Sequence, residues 1–322
     1  RMQATYKGLK LQGEFSEIES KLIIQSTLVE VMVTYFDIVR QKQTVSYLNS
    51  IIKYYNERLK ITEERWQVGK GSKIDFLQSK TDLNGQLSEL TRAENNLKNA
   101  KVVLNGLLNR HPSETFETEE SDRDPAIYEL AKLEDQAMNN NRDILLMQKS
   151  LEISLKEEKQ VSAARLPRVF VNGSVGYSYN DTNTGFLANS RNLAGSLGLT
   201  ASWNLFDGHH RKNQVAISRI KTQVIKKERE SLEFQIINDL TFAYNQYQTD
   251  KDLLQFEEQN KEIAEENLSI SLEKFRLGGS SILVLSEAQR AYDVALNRLV
   301  NSEYNVKLSE LNMMRLSGSL VE

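Results

Sequence analysis

The sequence predicts a mainly α protein with a small β part: long antiparallel coiled-coil helices, one β-hairpin, and an internal two-fold repeat. Three observations predict it. Apolar residues recur at intervals of seven through long stretches without a helix breaker, the three prolines of the 322-residue chain being Pro112, Pro125 and Pro167. Two glycine breaks, Val68-Gly69-Lys70-Gly71-Ser72 and Leu277-Gly278-Gly279-Ser280-Ser281, interrupt those stretches. Between the last proline and Gly208 the apolar period shortens to two.

Residues from about 2 to 66 read as one helix, with Ile24, Val31, Ile38, Val45, Ile52, Leu59 and Trp66 at intervals of seven. Roughly 65 helical residues span about 97 Å, which few compact domains accommodate. At the first break, glycines let the chain reverse, and Ser72 is placed to cap the next helix. That helix carries Phe76, Leu83, Leu90, Leu97 and Leu104, and is expected to run to Asn109 before His111-Pro112. An acidic segment, Ser113 to Asp124, reads as a solvated loop closed by Pro125. A short helix from Ala126 to Met138, a break at Asn139-Asn140-Asn141, and a helix from Asp143 to Arg165 follow.

Then come two strand patterns. Val169, Val171, Val175, Tyr177 and Tyr179 alternate with Phe170, Asn172, Ser174, Ser178 and Asn180. Leu197, Leu199, Ala201, Trp203 and Leu205 alternate with Ser196, Gly198, Thr200, Ser202 and Asn204. One face is apolar with Tyr and Trp and the other is small and polar, apart from Phe170. Each run is about 11 residues, the length of a tilted membrane-spanning strand. A soluble hairpin shows the same alternation, but a lone hairpin is marginal in water. In a bilayer its open edges demand closure with strands of other subunits. From Gly208 a second long helix runs to Phe275, with Leu240, Tyr247, Leu254, Leu268 and Phe275 on its stripe and Glu233 and Lys261 interrupting it. After the second break, where Ser280 or Ser281 is the cap, Leu285, Tyr292, Leu299, Val306 and Met313 repeat at sevens.

The two halves echo each other. Asn56–Ile61 aligns with Glu265–Ile270 at an offset of 209, Trp66 with Phe275, and, beyond the turn, Leu77 with Leu285 at an offset of 208. Arg1 aligns with His210, just past a strand-like run, so the chain is expected to start inside a larger protein whose first β-hairpin precedes residue 1. The expected organisation is a first helical hairpin, 1–112; a segment 113–142; a return helix, 143–166; the β-hairpin, 167–207, with a loop at 181–193; and a second helical hairpin, 208–318.

Composition excludes several function classes. The net charge of −3 gives no pull towards nucleic acid or an anionic surface, and the absence of cysteine excludes thiol chemistry and disulfides. No apolar run approaches the ~20 residues of a membrane helix. No phosphate loop, nucleophile elbow or zinc-protease motif is present, so neither an enzyme nor a cofactor is expected. Asp207, His209 and His210 offer metal-ligating side chains, but adjacent helical residues point apart and no metal is expected. Asn172-Gly173-Ser174 fits a glycosylation sequon. Trp66 and Phe275 beside the breaks read as core plugs rather than ligand platforms, and Trp203 and Tyr177 as girdle or packing residues.

The order of parts resembles the TolC-like outer-membrane efflux proteins. The resemblance rests on Arg65-x-x-Val68-Gly69 with Asp75-Phe76-Leu77, and on Lys274-Phe275-x-Leu277-Gly278 with Val284-Leu285. Leu166-Pro167 before one strand and Trp203-Asn204-Leu205-Phe206-Asp207-Gly208 after the other also carry it, as does Asn141-Arg142-Asp143, which lacks the family's usual proline. It covers nearly the whole chain and implies a homotrimer in the outer membrane of a Gram-negative bacterium, with most of the chain in the periplasm. Each protomer would give four strands to one twelve-stranded transmembrane β-barrel, two of them seen here, and helices to a periplasmic α-barrel.

The implied function is the exit duct of a tripartite efflux or type I secretion system. An adaptor protein would dock on tips formed by Arg65, Val68, Gly69, Lys70, Gly71 and Ser72, and by Lys274, Leu277, Gly278, Gly279, Ser280 and Ser281. An inner-membrane transporter would supply the energy, and no nucleic acid is involved. The gate candidates are Asp75, Leu283 and Glu287; the family's acidic residues just after the second tip are replaced here by Ile282-Leu283-Val284-Leu285. The lipid-facing side chains would be Val169, Val171, Val175, Tyr177, Tyr179, Leu197, Leu199, Ala201, Trp203 and Leu205. The competing reading is a soluble coiled-coil scaffold that binds partners along its helices.

Overall fold

The computed structural model describes residues 2–119, 126–181 and 189–320. The elements are α1 (Met2–Gln67), α2 (Lys73–Leu107), α3 (Leu130–Asn140), α4 (Arg142–Ser162), a 3-10 turn at Ala163–Arg165, β1 (Arg168–Asp181), β2 (Asn189–Ser202), α5 (His210–Arg276) and α6 (Ile282–Ser317). The chain is thus mostly helical with a two-stranded part. The two long hairpins have nearly equal arms, 66 and 35 residues in the first and 67 and 36 in the second.

Several boundaries move for identifiable reasons. α2 stops at Leu107 because Asn109 takes a left-handed conformation and the Arg110 N–H donates to the Asn105 carbonyl at 2.8 Å. α3 starts at Leu130 and extends through Asn139 and Asn140; the break falls on Asn141 alone. The buried Asn141 side chain donates to the Leu316 carbonyl at 2.9 Å, and its oxygen accepts the Asp143 N–H at 3.0 Å, capping α4. The expected helix to Arg165 tightens to a 3-10 turn after Ser162, short of Pro167. Contrary to the expectation of no membrane-length apolar run, α1 is long and apolar enough to cross a membrane by length and composition, in an 18-residue window that tolerates Glu30 and Asp37.

The chain divides into two units. The first comprises Arg1–Glu19 and Ile144–Leu232, and the second Ser20–Asp143 and Glu233–Glu322. In the first, Lys149 pairs with Glu14 at 2.8 Å, and Arg219 and Lys221 pair with Glu158 and Glu157 at 3.2 Å, joining α4 to the start of α1 and of α5. β1 and β2 pair antiparallel from Arg168 opposite Ser202 to Asp181 opposite Asn189. The strands are 14 residues each, longer than expected, so Asp181 and 189–193 belong to the ladder rather than to the loop placed at 181–193. Residues 182–188 of that loop, and 120–125 of the acidic segment, lie outside the described residues.

In the second unit, one apolar cluster draws on four helices: Ile51, Tyr55 and Ile61 of α1, Leu83 of α2, Leu268, Leu272 and Phe275 of α5, and Leu285 and Tyr292 among others of α6. α6 is the most buried helix, and Leu285, Tyr292, Val306 and Met313 of its stripe are all inside. The α1 stripe behaves differently. Of its seven residues only Ile38 is buried, and Ile24 is exposed. A straight helix drifts about 20° per heptad away from a strict seven-residue repeat. Near the turn the buried side has accordingly moved to Leu48, Ile51, Tyr55, Arg58, Ile61 and Thr62. The segment after α2 is fastened by Lys101, whose ammonium donates to the Phe116 carbonyl at 2.8 Å, and by Tyr247, whose hydroxyl donates to the Ala126 carbonyl at 2.7 Å. Burial pushes the Tyr247 hydroxyl up to about 12, which keeps it a donor.

Candidate functional site

Both turns between the long helices are built by the same local chemistry. At the first, the Gly69 N–H donates to the Trp66 carbonyl at 3.0 Å and the Lys70 N–H to the Arg65 carbonyl at 2.8 Å. At the second, Gly278 donates to Phe275 at 3.0 Å and Gly279 to Lys274 at 2.9 Å. This pair of bonds satisfies the last helical carbonyls, and it needs a left-handed residue after the helix. Gly69 at φ 74° and Gly278 at φ 83° supply it. The following helices are capped by hydroxyls: Ser72 accepts from the Ile74 N–H at 3.1 Å and Ser281 from the Val284 N–H at 3.4 Å. Of the two serines expected to cap the second helix, Ser281 does so.

The turns present an exposed surface of Val68, Gly69, Lys70, Ser72, Lys274, Leu277, Gly278, Gly279 and Ser281, with Gly71 and Ser280 half-buried. Arg65 stands apart from these. Its half-buried guanidinium reaches across to the other hairpin, donating to the Phe275 carbonyl and lying 4.4 Å from the Phe275 ring centre. It therefore neutralises the carbonyl end of α5 and fixes one turn beside the other. Arg276 returns the brace by pairing with Glu57 of α1. Phe275 is buried in the core cluster, whereas Trp66 is half-buried, stacked on Phe76 at 5.1 Å with Lys73 over its ring.

Sequence reasoning missed the polar group beneath these turns. Arg58 of α1 is 1% exposed. Its guanidinium donates to Gln289 Oε1 at 2.7 Å and Ser286 Oγ at 2.8 Å on α6, and forms an ion pair with Asp82 of α2. One side chain thus ties three helices. The available signal was that Arg58 follows Ile51 by seven and Tyr55 by three, the spacing of the inward side. One helical turn beyond Gln289, burial pushes the half-buried Asp293 carboxyl above the ordinary carboxylate range, against a lowering contribution from its hydrogen bond to Gln86. Of the gate candidates, Asp75 sits half-buried in the first turn of α2, Leu283 is exposed, and the exposed Glu287 pairs with Arg290 on its own helix at 3.8 Å.

In the other unit, the apolar residues of β1 and β2 fall on one face: Val169 lies opposite Ala201, Val171 opposite Leu199, and Tyr177 opposite Leu193. Nothing in the described chain covers that face; Val175 is 84% and Leu197 85% exposed. The other face is small and polar apart from Phe170, and Ser174 and Ser196 hydrogen bond across it at 2.8 Å. Trp203 and Leu205 are a correction. β2 ends at Ser202, and both residues lie in the irregular segment beyond it, where the Trp203 indole donates to the Arg165 carbonyl at 3.2 Å. The apolar alternation ran past the end of the pairing. Among the described residues, no group of three or more His, Asp or Glu side chains is placed to hold a metal.

The model of the outer membrane efflux protein family matches residues 19–110 and 133–319, and the chain belongs to that family. It is a family of outer-membrane channels rather than of enzymes, and it places the chain in the outer membrane of a Gram-negative bacterium. Outer membrane protein TolC of Vibrio cholerae is 21% identical over 307 residues, covering 92% of this chain and 69% of the relative. TolC of Salmonella enteritidis is 22% identical, covering 98% and 66%, and that of Escherichia coli 20%, covering 92% and 62%. The chain therefore spans about two thirds of the length of these curated relatives. The outer-membrane channel OprN has the same fold, with a TM-score of 0.82 at 19% identity over 99% of this chain and 72% of that one. VceC of Vibrio cholerae gives 0.82 at 16% identity over 98% and 75%.

Proposed function

We propose that this chain is one protomer of a homotrimeric exit duct, a passive conduit serving a tripartite efflux or type I secretion system. The observation that carries the reading is the strand pair. Its apolar face is bare, and each strand pairs with only one neighbour among the described residues. In a bilayer an unpaired strand edge costs several kcal/mol per polar group, so the pair requires closure with strands of other protomers. The half-buried and exposed remainder of the α1 stripe supports the same assembly, because it offers coiled-coil positions that this chain leaves open. The matched arms of the two hairpins are the product of an internal duplication, and the helices form a tunnel in the periplasm.

The two turns are the docking tips for a periplasmic adaptor. Exposed Val68, Leu277, Gly69 and Gly278 support this, since a partner helix packs closely against backbone that carries no side chain. Arg65 contributes by holding the tips in place. An inner-membrane transporter supplies the energy. The duct opens when the tip helices move apart, a change between two packings, with Asp75, Leu283 and Glu287 at the entrance. Val175→Arg and Leu199→Arg test the membrane face. Each costs about 2–4 kcal/mol at mid-bilayer, so neither variant reaches the outer membrane as an assembled channel. Recovery of both variants as folded, soluble protein outside the membrane, indistinguishable from the parent, would support the soluble scaffold instead.

A further inference from the structure

A cleft of about 340 Å³ opens where β2 leaves the sheet and α5 begins. Trp203, Leu205 and Phe206 form its apolar part, and all three are exposed. Arg165, Arg211 and Lys212 also line it. Asp207 is the one carboxylate there, and it is occupied: it accepts the Arg211 N–H at 3.3 Å and pairs with the Arg211 guanidinium at 3.1 Å. The lining therefore keeps a positive surplus on Arg165 and Lys212, neither of which has an ion-pair partner among the described residues. The Trp203 indole donates to the Arg165 carbonyl at 3.2 Å, which fixes the indole beside the Arg165 backbone.

We propose that this cleft binds the phosphate head group of an anionic phospholipid. The inference rests on reading the strand pair as membrane-spanning. A free inorganic anion would satisfy Arg165 and Lys212 but leave Trp203, Leu205 and Phe206 in water. A phospholipid answers both halves: its phosphate meets the cations, and its glycerol and upper acyl chains cover the apolar side chains. Those apolar residues continue directly from the bare face that ends at Val169 and Ala201, so the cleft lies at the edge of that face, where an indole beside cations suits a head-group layer.

Trp203 and Trp66 are the only tryptophans, so Trp66→Phe makes the cleft its own reporter. The full chain is reconstituted in phosphatidylcholine nanodiscs containing a rising fraction of phosphatidylglycerol, and Trp203 emission is followed. A saturable change is expected, weakened about fivefold by Arg165→Gln and about fivefold by Lys212→Gln, with no response to inorganic phosphate in pure phosphatidylcholine discs. Three results would overturn the proposal: no dependence on phosphatidylglycerol, the same response to inorganic phosphate alone, or a response indifferent to both substitutions. Density-gradient flotation separates the two levels. A protein that fails to float with lipid contradicts the membrane reading itself, whereas one that floats without the saturable signal contradicts only the lipid site.

Discussion

Replacing Asp82 by alanine should destabilise the helices behind the tips more than replacing Arg58 by methionine, although Arg58 is the more buried partner. The side chains are 1% exposed for Arg58 and 29% for Asp82. Without Asp82, the guanidinium keeps its bonds to Ser286 and Gln289 but remains sealed from water as an uncompensated charge, at a cost of about 3–5 kcal/mol. Its Nε already lacks a partner, so no second acceptor is at hand among the described residues. Without Arg58, Asp82 turns to water and keeps the hydrogen bond from Gln78 at 2.7 Å. The loss then falls on the orphaned Gln289 and Ser286 oxygens, about 1–3 kcal/mol. The double variant should cost less than the sum of the singles, with a coupling of about 1–3 kcal/mol. The assay is urea unfolding followed by circular dichroism at one fixed protein concentration, because the proposed assembly would link stability to concentration. Additive single effects, or an Asp82→Ala variant as stable as the parent, would refute the reasoning.

Other consequences follow from the same geometry. A Cβ at Gly71 would lie 2.8 Å from the Arg65 Cβ and 3.2 Å from its backbone carbon, so Gly71→Ala should cost about 1–3 kcal/mol. Gly85 in α2 has open space around it, so Gly85→Ala should instead add about 0.5–1 kcal/mol; thermal unfolding of the pair tests the contrast. The raised Asp293 carboxyl holds its proton more tightly in the folded state than in the unfolded chain. Its favourable share of stability is therefore full below the ordinary Asp value of about 4 and is lost as pH rises through the raised folded value. Asp293→Asn should raise the unfolding midpoint at pH 7, and the gain should vanish towards pH 4; a gain independent of pH would count against burial as the cause.

The local parts of this fold were legible because single residues dictate them. Gly69 and Gly278 announce left-handed helix ends, Ser72 a cap, and the alternation from Val169 to Tyr179 a two-faced strand. The register of the long helices was less legible. A stripe at sevens from Ile24 to Trp66 marks positions that coiled-coil partners want, but a lone chain at 3.6 residues per turn buries Ile51, Tyr55 and Arg58 instead. The end of β2 was hidden for a related reason: Trp203 and Leu205 keep the apolar alternation after the hydrogen-bonded ladder stops at Ser202. Hydropathy reads what side chains face, and pairing is decided by a strand it does not see. The Arg58 network was hidden because the expected stripe passes through Leu59, which leaves Arg58 beside it as an ordinary solvated charge until its partners on α2 and α6 are known. Arg65, expected among docking residues, proved to be committed to Phe275 for a similar reason: the sequence places it beside the tip, and only the packed hairpins bring the second tip to it.

The most direct test of the central claim is the mass and form of the intact protein extracted from membranes in mild detergent, by light scattering and electron microscopy. The duct reading predicts three copies around a continuous central lumen, with a detergent belt around the strands and a helical tunnel beyond it. A monodisperse soluble monomer or dimer without a detergent belt would contradict it and make the coiled-coil scaffold the working description.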